Sequence, residues 1–167
     1  MESCEVPEVI RSDKPLFYEW TCKQLENLLT RTDDSIANLS NSAALLFQVM
    51  DRVSWAGFYI RRADSLVLGP FQGKPACAVI PFGKGVCGTA LEKSRTIVVP
   101  DVRLFPGHIA CDEASLSEIV VPVMKDGQVN AVLDIDSMET DRFTEEDARG
   151  LETFVKVLGK NIHWEEL

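Results

Sequence analysis

The 167-residue chain is 46% hydrophobic and 26% charged, the proportions of one globular domain with a core of its own. Seventeen basic residues against 26 acidic ones leave a net charge of −9, the wrong sign for attracting a phosphate backbone, so nucleic acid is a poor partner. No apolar run approaches the roughly 18 residues that span a bilayer, and MESCEVPEVIRSDK lacks the basic-then-apolar layout of a signal peptide, so the expected setting is the cytosol without a membrane segment.

A polar arm over residues 1–14 precedes a domain over 15–167. Pro15 in a first helical turn, with Ser12 or Asp13 at the cap, opens a helix carrying Leu16, Phe17, Trp20, Leu25, Leu28 and Leu29. From Asp34 or Ser35 the apolar residues Ile36, Leu39, Ala43, Leu46, Phe47 and Met50 recur at steps of three and four, predicting a second, amphipathic helix. VSWAGFYI is rich in β-branched and aromatic residues, and Leu66–Leu68 resumes after Arg62-Ala63-Asp64-Ser65, which predicts a β-hairpin.

Cys77–Ile80 reads as a short strand entering a glycine-rich turn, residues 86–93 as a short helix, and Thr96–Val99 as a strand stopped by Pro100. Residues 100–117 follow neither period, and a stretch of that length inside a compact domain suggests a lid or binding loop. EIVVPV and QVNAVLDID flank Lys125-Asp126-Gly127, a strong hairpin signal. Thr144 with Asp147 forms a capping box before a last helix carrying Ala148, Leu151, Phe154, Val155, Leu158 and Ile162. Sequential strands with helices at both ends predict an α+β domain around a largely antiparallel sheet.

Five cysteines, an odd number, do not form a secreted disulfide framework; thiols kept reduced fit better. Cys77, Cys87 and Cys111 lie in or beside turn-rich stretches, whereas Cys4 and Cys22 fall in the arm and first helix and read as structural or incidental. A lone cysteine is more commonly a small buried hydrophobe than a nucleophile. Cys87, however, lies just inside a predicted helix N-terminus, where backbone amides favour a thiolate, and Cys111 lies beside His108 in the long loop. His108 and Cys111 also have the spacing of two zinc ligands, but the cysteines lack the usual paired-ligand loops, so a metal site is the weaker reading.

The strand period of two puts Asp134 and Asp136 on one face, opposite Leu133 and Ile135. A solvated strand end is the bland reading; a pocket for an ammonium group, or for chemistry with a protonated carboxyl, is the sharper one. Glu118, on the partner strand, joins that face only if the hairpin departs from a strict two-residue turn, which would put it opposite Ile135. We expect a three-residue loop or a bulge near Pro122, pairing Glu118 with Asp134. Trp55 and Tyr59 share a strand face and form either core packing or an apolar wall. PFGKGVCG matches neither nucleotide-loop pattern, so phosphate binding is weakly supported.

Together VSWAGFYI, LVLGPFQGKPAC, IPFGKGVCGTA, VVPDV, FPGHIACDEASLSEIVVPV and VLDIDS resemble the GAF-domain free methionine-R-sulfoxide reductases, over nearly the whole chain from about residue 15. The resemblance implies a GAF fold and reduction of free methionine-R-sulfoxide without metal or organic cofactor. It implies Cys111 as nucleophile, with Cys77, or less readily Cys87, capturing its sulfenic acid as a disulfide that a thioredoxin-type reductant reopens. Glu118, Asp134 and Asp136 match the family's acidic pocket for the ammonium group and the sulfoxide, and Trp55 with Tyr59 the wall for the S-methyl group. The family and the apolar first helix are compatible with a homodimer. Two other classes use the same features: a regulatory GAF module binding a small ligand, and a cysteine-based peroxidase or redox sensor.

Overall fold

A computed structural model describes residues 5–109 and 111–167; Cys4 lies outside the described residues. The elements are α1 (Glu8–Arg11), α2 (Lys14–Leu29), α3 (Ser35–Val49), β1 (Trp55–Arg62), β2 (Ser65–Gln72), β3 (Val79–Pro81), α4 (Gly85–Lys93), β4 (Ile97–Val99), β5 (Ser117–Lys125), β6 (Gln128–Ser137) and α5 (Glu145–Gly159). One six-stranded sheet has the order β3-β2-β1-β6-β5-β4, with every neighbouring pair antiparallel. No described helix is long and apolar enough to cross a membrane.

Local chemistry sets the helix starts. Asp13 and Asp34 each accept a hydrogen bond from a first-turn backbone N–H, and Pro15 occupies the opening turn of α2, where its missing N–H is not needed. Thr144 and Asp147 form the expected reciprocal capping box at the head of α5. Asp147 also accepts from Tyr18 Oη at 2.8 Å and from Lys14 Nζ at 2.6 Å, tying α2 to α5 through a buried carboxylate.

The sheet separates two apolar clusters. Phe58, Ile60, Ile119, Val121, Leu133 and Ile135 meet Leu25, Leu39, Leu46, Leu151 and Phe154 of the three long helices in the larger cluster. At roughly 25 cal/mol per Å² of apolar surface, this layer supplies most of the burial that holds the domain together. On the other face Trp55, Tyr59, Val120 and Val132 meet Val86, Cys87, Ala90 and Leu91 of α4 and the loops around it. Three residues of the predicted helical stripes face water instead, Leu16 at 46%, Ile36 at 52% and Phe47 at 37% exposed, because the neighbouring elements cover a narrower arc of α2 and α3 than their apolar periodicity supplies. Val6 of the N-terminal segment is buried in the larger cluster, and Arg11 pairs with Asp51.

Candidate active site

The second face of the sheet is where the polar residues gather. β1 pairs with β6 so that Trp55 opposes Asp136 and Gly57 opposes Asp134. The β5–β6 hairpin begins with a two-residue Asp126-Gly127 turn, Lys125 opposing Gln128. The register then shifts by one residue between Val123 and Met124, with Met124 opposite Val129 but Val123 opposite Ala131. Asn130 is thus the extra residue, a bulge in β6. The shift places Glu118 opposite Asp136 rather than Asp134, correcting the expected pairing. The carboxylates still converge, because one bulge residue in either strand reverses the parity that a strict turn imposes.

Glu118 is 6% and Asp134 7% exposed, and Asp136 is partly buried. Burial pushes all three carboxyls well above the ordinary carboxylate range, and their mutual repulsion adds to the effect: Asp136 acts on Glu118, Glu118 on Asp134, and Asp134 with Asp112 on Asp136. Three buried carboxyls that repel one another hold their protons to higher pH than free carboxyls do.

Cys77 and Cys111 are joined in a disulfide, with their Cα atoms 5.4 Å apart. Cys87 is free and 3% exposed. Its position as the third residue of α4 suggested a thiolate, but burial and then Asp134 raise its pKa well above the normal thiol value, so the helix terminus does not win. Cys22 lies half-buried in α2, its thiol pushed up by burial to about 11, a poor nucleophile at neutral pH.

The aromatic wall is assembled by β1 and β2. Trp55 stacks on Phe71 with centroids 5.3 Å apart and on Tyr59 at 6.0 Å. Trp55 Nε1 donates to the Lys74 carbonyl and Tyr59 Oη to the Cys77 carbonyl, both at 3.0 Å. The wall therefore also anchors the strap that carries Cys77. From the opposite side, Asp112 pairs with Lys74 at 3.1 Å, so the ion pair and the disulfide together hold the 111–112 loop against the strap.

Two small voids remain. One, of about 30 Å³, is lined by Cys87, His108, Cys111, Glu118, Asp134 and Asp136 among others. The second, of about 20 Å³, lies between Trp55, Tyr59, Ala76 and Cys111. Cys111, Asp112, Asp134 and Asp136 line both and divide one site into two compartments. A groove of about 760 Å³ between α5 and β5 is lined by no cysteine and lies away from this cluster.

His108 Nε2 is 3.5 Å from Glu118 Oε2. Burial lowers the imidazole pKa, so at pH 7 this is a contact between a neutral ring and a carboxyl rather than an ion pair. Reading His108 with Cys111 as metal ligands missed this partner; Cys111 is bound to Cys77, and the imidazole points to a carboxyl on a strand distant in sequence.

The family model for the GAF domain matches residues 24–162. The chain is 47% identical over 148 residues to free methionine-R-sulfoxide reductase of Escherichia coli (strain K12), covering 89% of this chain and 90% of that one. It is 46% identical over 134 residues to the Saccharomyces cerevisiae protein of the same name, covering 75% of this chain and 74% of the other. The X-ray structure of free methionine-R-sulfoxide reductase from Neisseria meningitidis with its substrate superposes with a TM-score of 0.88, at 44% identity and 93% coverage of both chains. The chain belongs to the GAF-domain free methionine-R-sulfoxide reductase family.

Within this GAF domain, all eight site residues expected from sequence lie on one sheet face or in the helix and loops that cover it: Trp55, Tyr59, Cys77, Cys87, Cys111, Glu118, Asp134 and Asp136. Gly57 is an additional site element. A β-carbon there would meet the Phe71 side chain and lie 2.6 Å from the Trp55 ring, so glycine is what lets the aromatic wall close over β1. We expect Gly57→Ala to displace Trp55 and lower stability by about 1–3 kcal/mol, read as a reduced thermal midpoint together with altered tryptophan fluorescence. An unchanged midpoint and spectrum would mean that β2 yields freely. The signal was present in WAGFYI, a glycine inside an otherwise β-rich run.

Proposed function

We propose that this protein reduces free methionine-R-sulfoxide to methionine through a cysteine sulfenic acid and a disulfide. The observation that carries this reading is the Cys77–Cys111 disulfide set against three buried, proton-holding carboxyls and an aromatic wall. It is supported by the relatives of that name.

The steps follow from the chemistry of the groups. Reduction of the disulfide frees Cys111 to move from between the two voids, which then join to admit a zwitterionic amino acid. The Cys111 sulfur attacks the sulfoxide sulfur, and a protonated carboxyl donates to the oxygen as it leaves. The oxygen leaves as water, and a water then attacks Cys111 Sγ and breaks its bond to the methionine sulfur, so methionine departs reduced by two electrons and Cys111 becomes a sulfenic acid, oxidised by two. The Cys77 thiol attacks it, expelling the oxygen as water and re-forming the disulfide.

Among the carboxyls, an ionised member binds the substrate ammonium while a neighbour kept neutral by burial supplies the proton. Trp55 and Tyr59 take the S-methyl group, and orientation against that wall selects the R epimer. His108 is the partly exposed group beside Glu118 and returns protons to the buried acids.

We assign catalysis to the domain over residues 15–167, with 1–14 as an arm. A thioredoxin-type dithiol reopens the disulfide by exchange, which places the protein in a reducing compartment, the cytosol. The exposed Leu16 on α2 supports a homodimer built on that helix.

The test is NADPH consumption by the protein with thioredoxin and thioredoxin reductase, offered the free R epimer, the free S epimer and a sulfoxide-containing peptide. We expect turnover of the free R epimer only. Folded, reduced protein that turns over none of the three would refute the assignment.

A further inference from the structure

One atom of the acidic cluster is left unpaired in the disulfide-closed protein. Asp134 Oδ1 is buried, has no hydrogen-bond partner, and belongs to a residue that lines the 30 Å³ void. An ionised carboxylate oxygen only accepts, so its partner is either a proton shared with a neighbouring acid or thiol, or a cation inside that void that replaces such a proton. A space of this size holds one water-sized species and not an amino acid.

The walls of the void present an uncommon donor set. One ligand atom each from Cys87, Glu118 and Asp134 lie within 4.8 Å of one another, and all three residues are buried. The His108 imidazole lines the same void, its Nε2 3.5 Å from Glu118 Oε2. Because Cys77 and Cys111 are bonded to each other, Cys87 is the free thiol among the described residues that line this void. Sulfur and two carboxylate oxygens form a three-ligand set for a borderline-soft ion, with the imidazole lining the same void but outside that set and a fourth position open to water. Mg²⁺ and Ca²⁺ require six or more oxygen ligands and have no use for a thiolate.

We propose that Cys87, Glu118 and Asp134, with His108 at the edge, form a binding site for one divalent cation of the Zn²⁺ class in the disulfide-closed protein. The ion displaces the protons held by the thiol and carboxyls to solvent, and its charge offsets groups that otherwise repel one another in a low-dielectric site. It occupies the carboxyls assigned to substrate ammonium, so ion and substrate exclude each other. The site is then an inhibitory one, by which a thiol-seeking metal holds the enzyme closed.

The test uses the full chain, metal-free and oxidised, with the Cys77–Cys111 bond verified by thiol counting. Co²⁺ serves as the spectroscopic probe. The expected result is one Co²⁺ per chain with a thiolate-to-cobalt charge-transfer band and tetrahedral ligand-field absorption, both removed by Zn²⁺. Cys87→Ser should lose the charge-transfer band, Glu118→Gln should weaken binding roughly tenfold or more, and Cys22→Ser should leave the band intact. A missing band, or one that survives in Cys87→Ser and disappears in Cys22→Ser, would overturn the proposal.

Should Cys87→Ser not fold, zinc-edge X-ray absorption on the wild-type protein decides. One sulfur in the coordination shell supports the site; none, or two or more, rejects it. No methionine sulfoxide enters these measurements, so their failure leaves the reductase assignment standing, and failure of that assignment leaves the metal result interpretable.

Discussion

Cys111→Ser is expected to abolish multiple turnover of free methionine-R-sulfoxide, a loss of roughly 10³-fold or more in kcat with the fold intact. The serine hydroxyl is neither acidic enough nor polarisable enough to attack sulfur, and no other thiol among the described residues occupies its place. Cys22 is on the helical side of the sheet, and Cys87 is buried and held protonated. Cys77→Ser should behave differently. It still reduces one sulfoxide per chain in a rapid burst, because Cys111 keeps its nucleophile, but it stalls at the sulfenic acid. Steady-state NADPH consumption together with methionine released per chain in a single turnover separates the two variants. Wild-type-like turnover in Cys111→Ser would remove Cys111 from its assigned role, and a full burst without later turnover in Cys87→Ser would move the resolving role from Cys77 to Cys87.

A second large effect is expected at the carboxyls, and there activity and stability move in opposite directions. Asp136→Asn should lower sulfoxide reduction by about 10²-fold or more while leaving the slow oxidation of the thiols by peroxide nearly unchanged. Equal loss of both reactions would indicate general damage instead. The same variant should be more stable than the wild type at pH 8. Burial, the neighbouring Asp134 and Asp112 raise the folded-state pKa of Asp136 above its unfolded value.

A group shifted in that direction binds protons more tightly in the folded state. Wild-type stability therefore falls as pH rises from the unfolded carboxylate pKa, near 4, through the raised folded value, and the deficit is complete above it. The amide carries no such dependence. Its thermal midpoint should exceed that of the wild type by a few degrees at pH 8, with the gap closing toward pH 5. A gap independent of pH would mean that the gain came from packing rather than charge.

Asp147 works in the opposite sense and in another window. Burial raises its pKa, but the hydrogen bonds from Lys14, the Thr144 backbone N–H and Tyr18 outweigh that and hold it below the ordinary value. Its contribution is present above the unfolded pKa and is lost only as the pH falls through the lowered folded pKa. The active-site acids thus weaken the fold toward alkaline pH, and the α2–α5 link weakens in strong acid.

The amino-acid sequence by itself determined the elements and the residue types at the site. Asp13, Asp34 and the Thr144–Asp147 pair mark helix starts because capping is settled within one turn of chain. Strand parity places Asp134 with Asp136 and Trp55 with Tyr59, since alternation is a property of a single strand. The carboxyl on the facing strand was not decided there. Whether Glu118 meets Asp136 or Asp134 depends on which strand takes the extra residue, and the bulge at Asn130 is set by how both hairpin faces pack against the two clusters.

The Cys77–Cys111 bond is the pairing that the family resemblance implied. The contact of His108 with Glu118 and the burial that keeps Cys87 protonated, by contrast, join residues far apart in the chain. Only tertiary structure decided these. Proximity across a loop, and the removal of water that shifts a pKa, arise when distant segments pack together, and no local pattern encodes them.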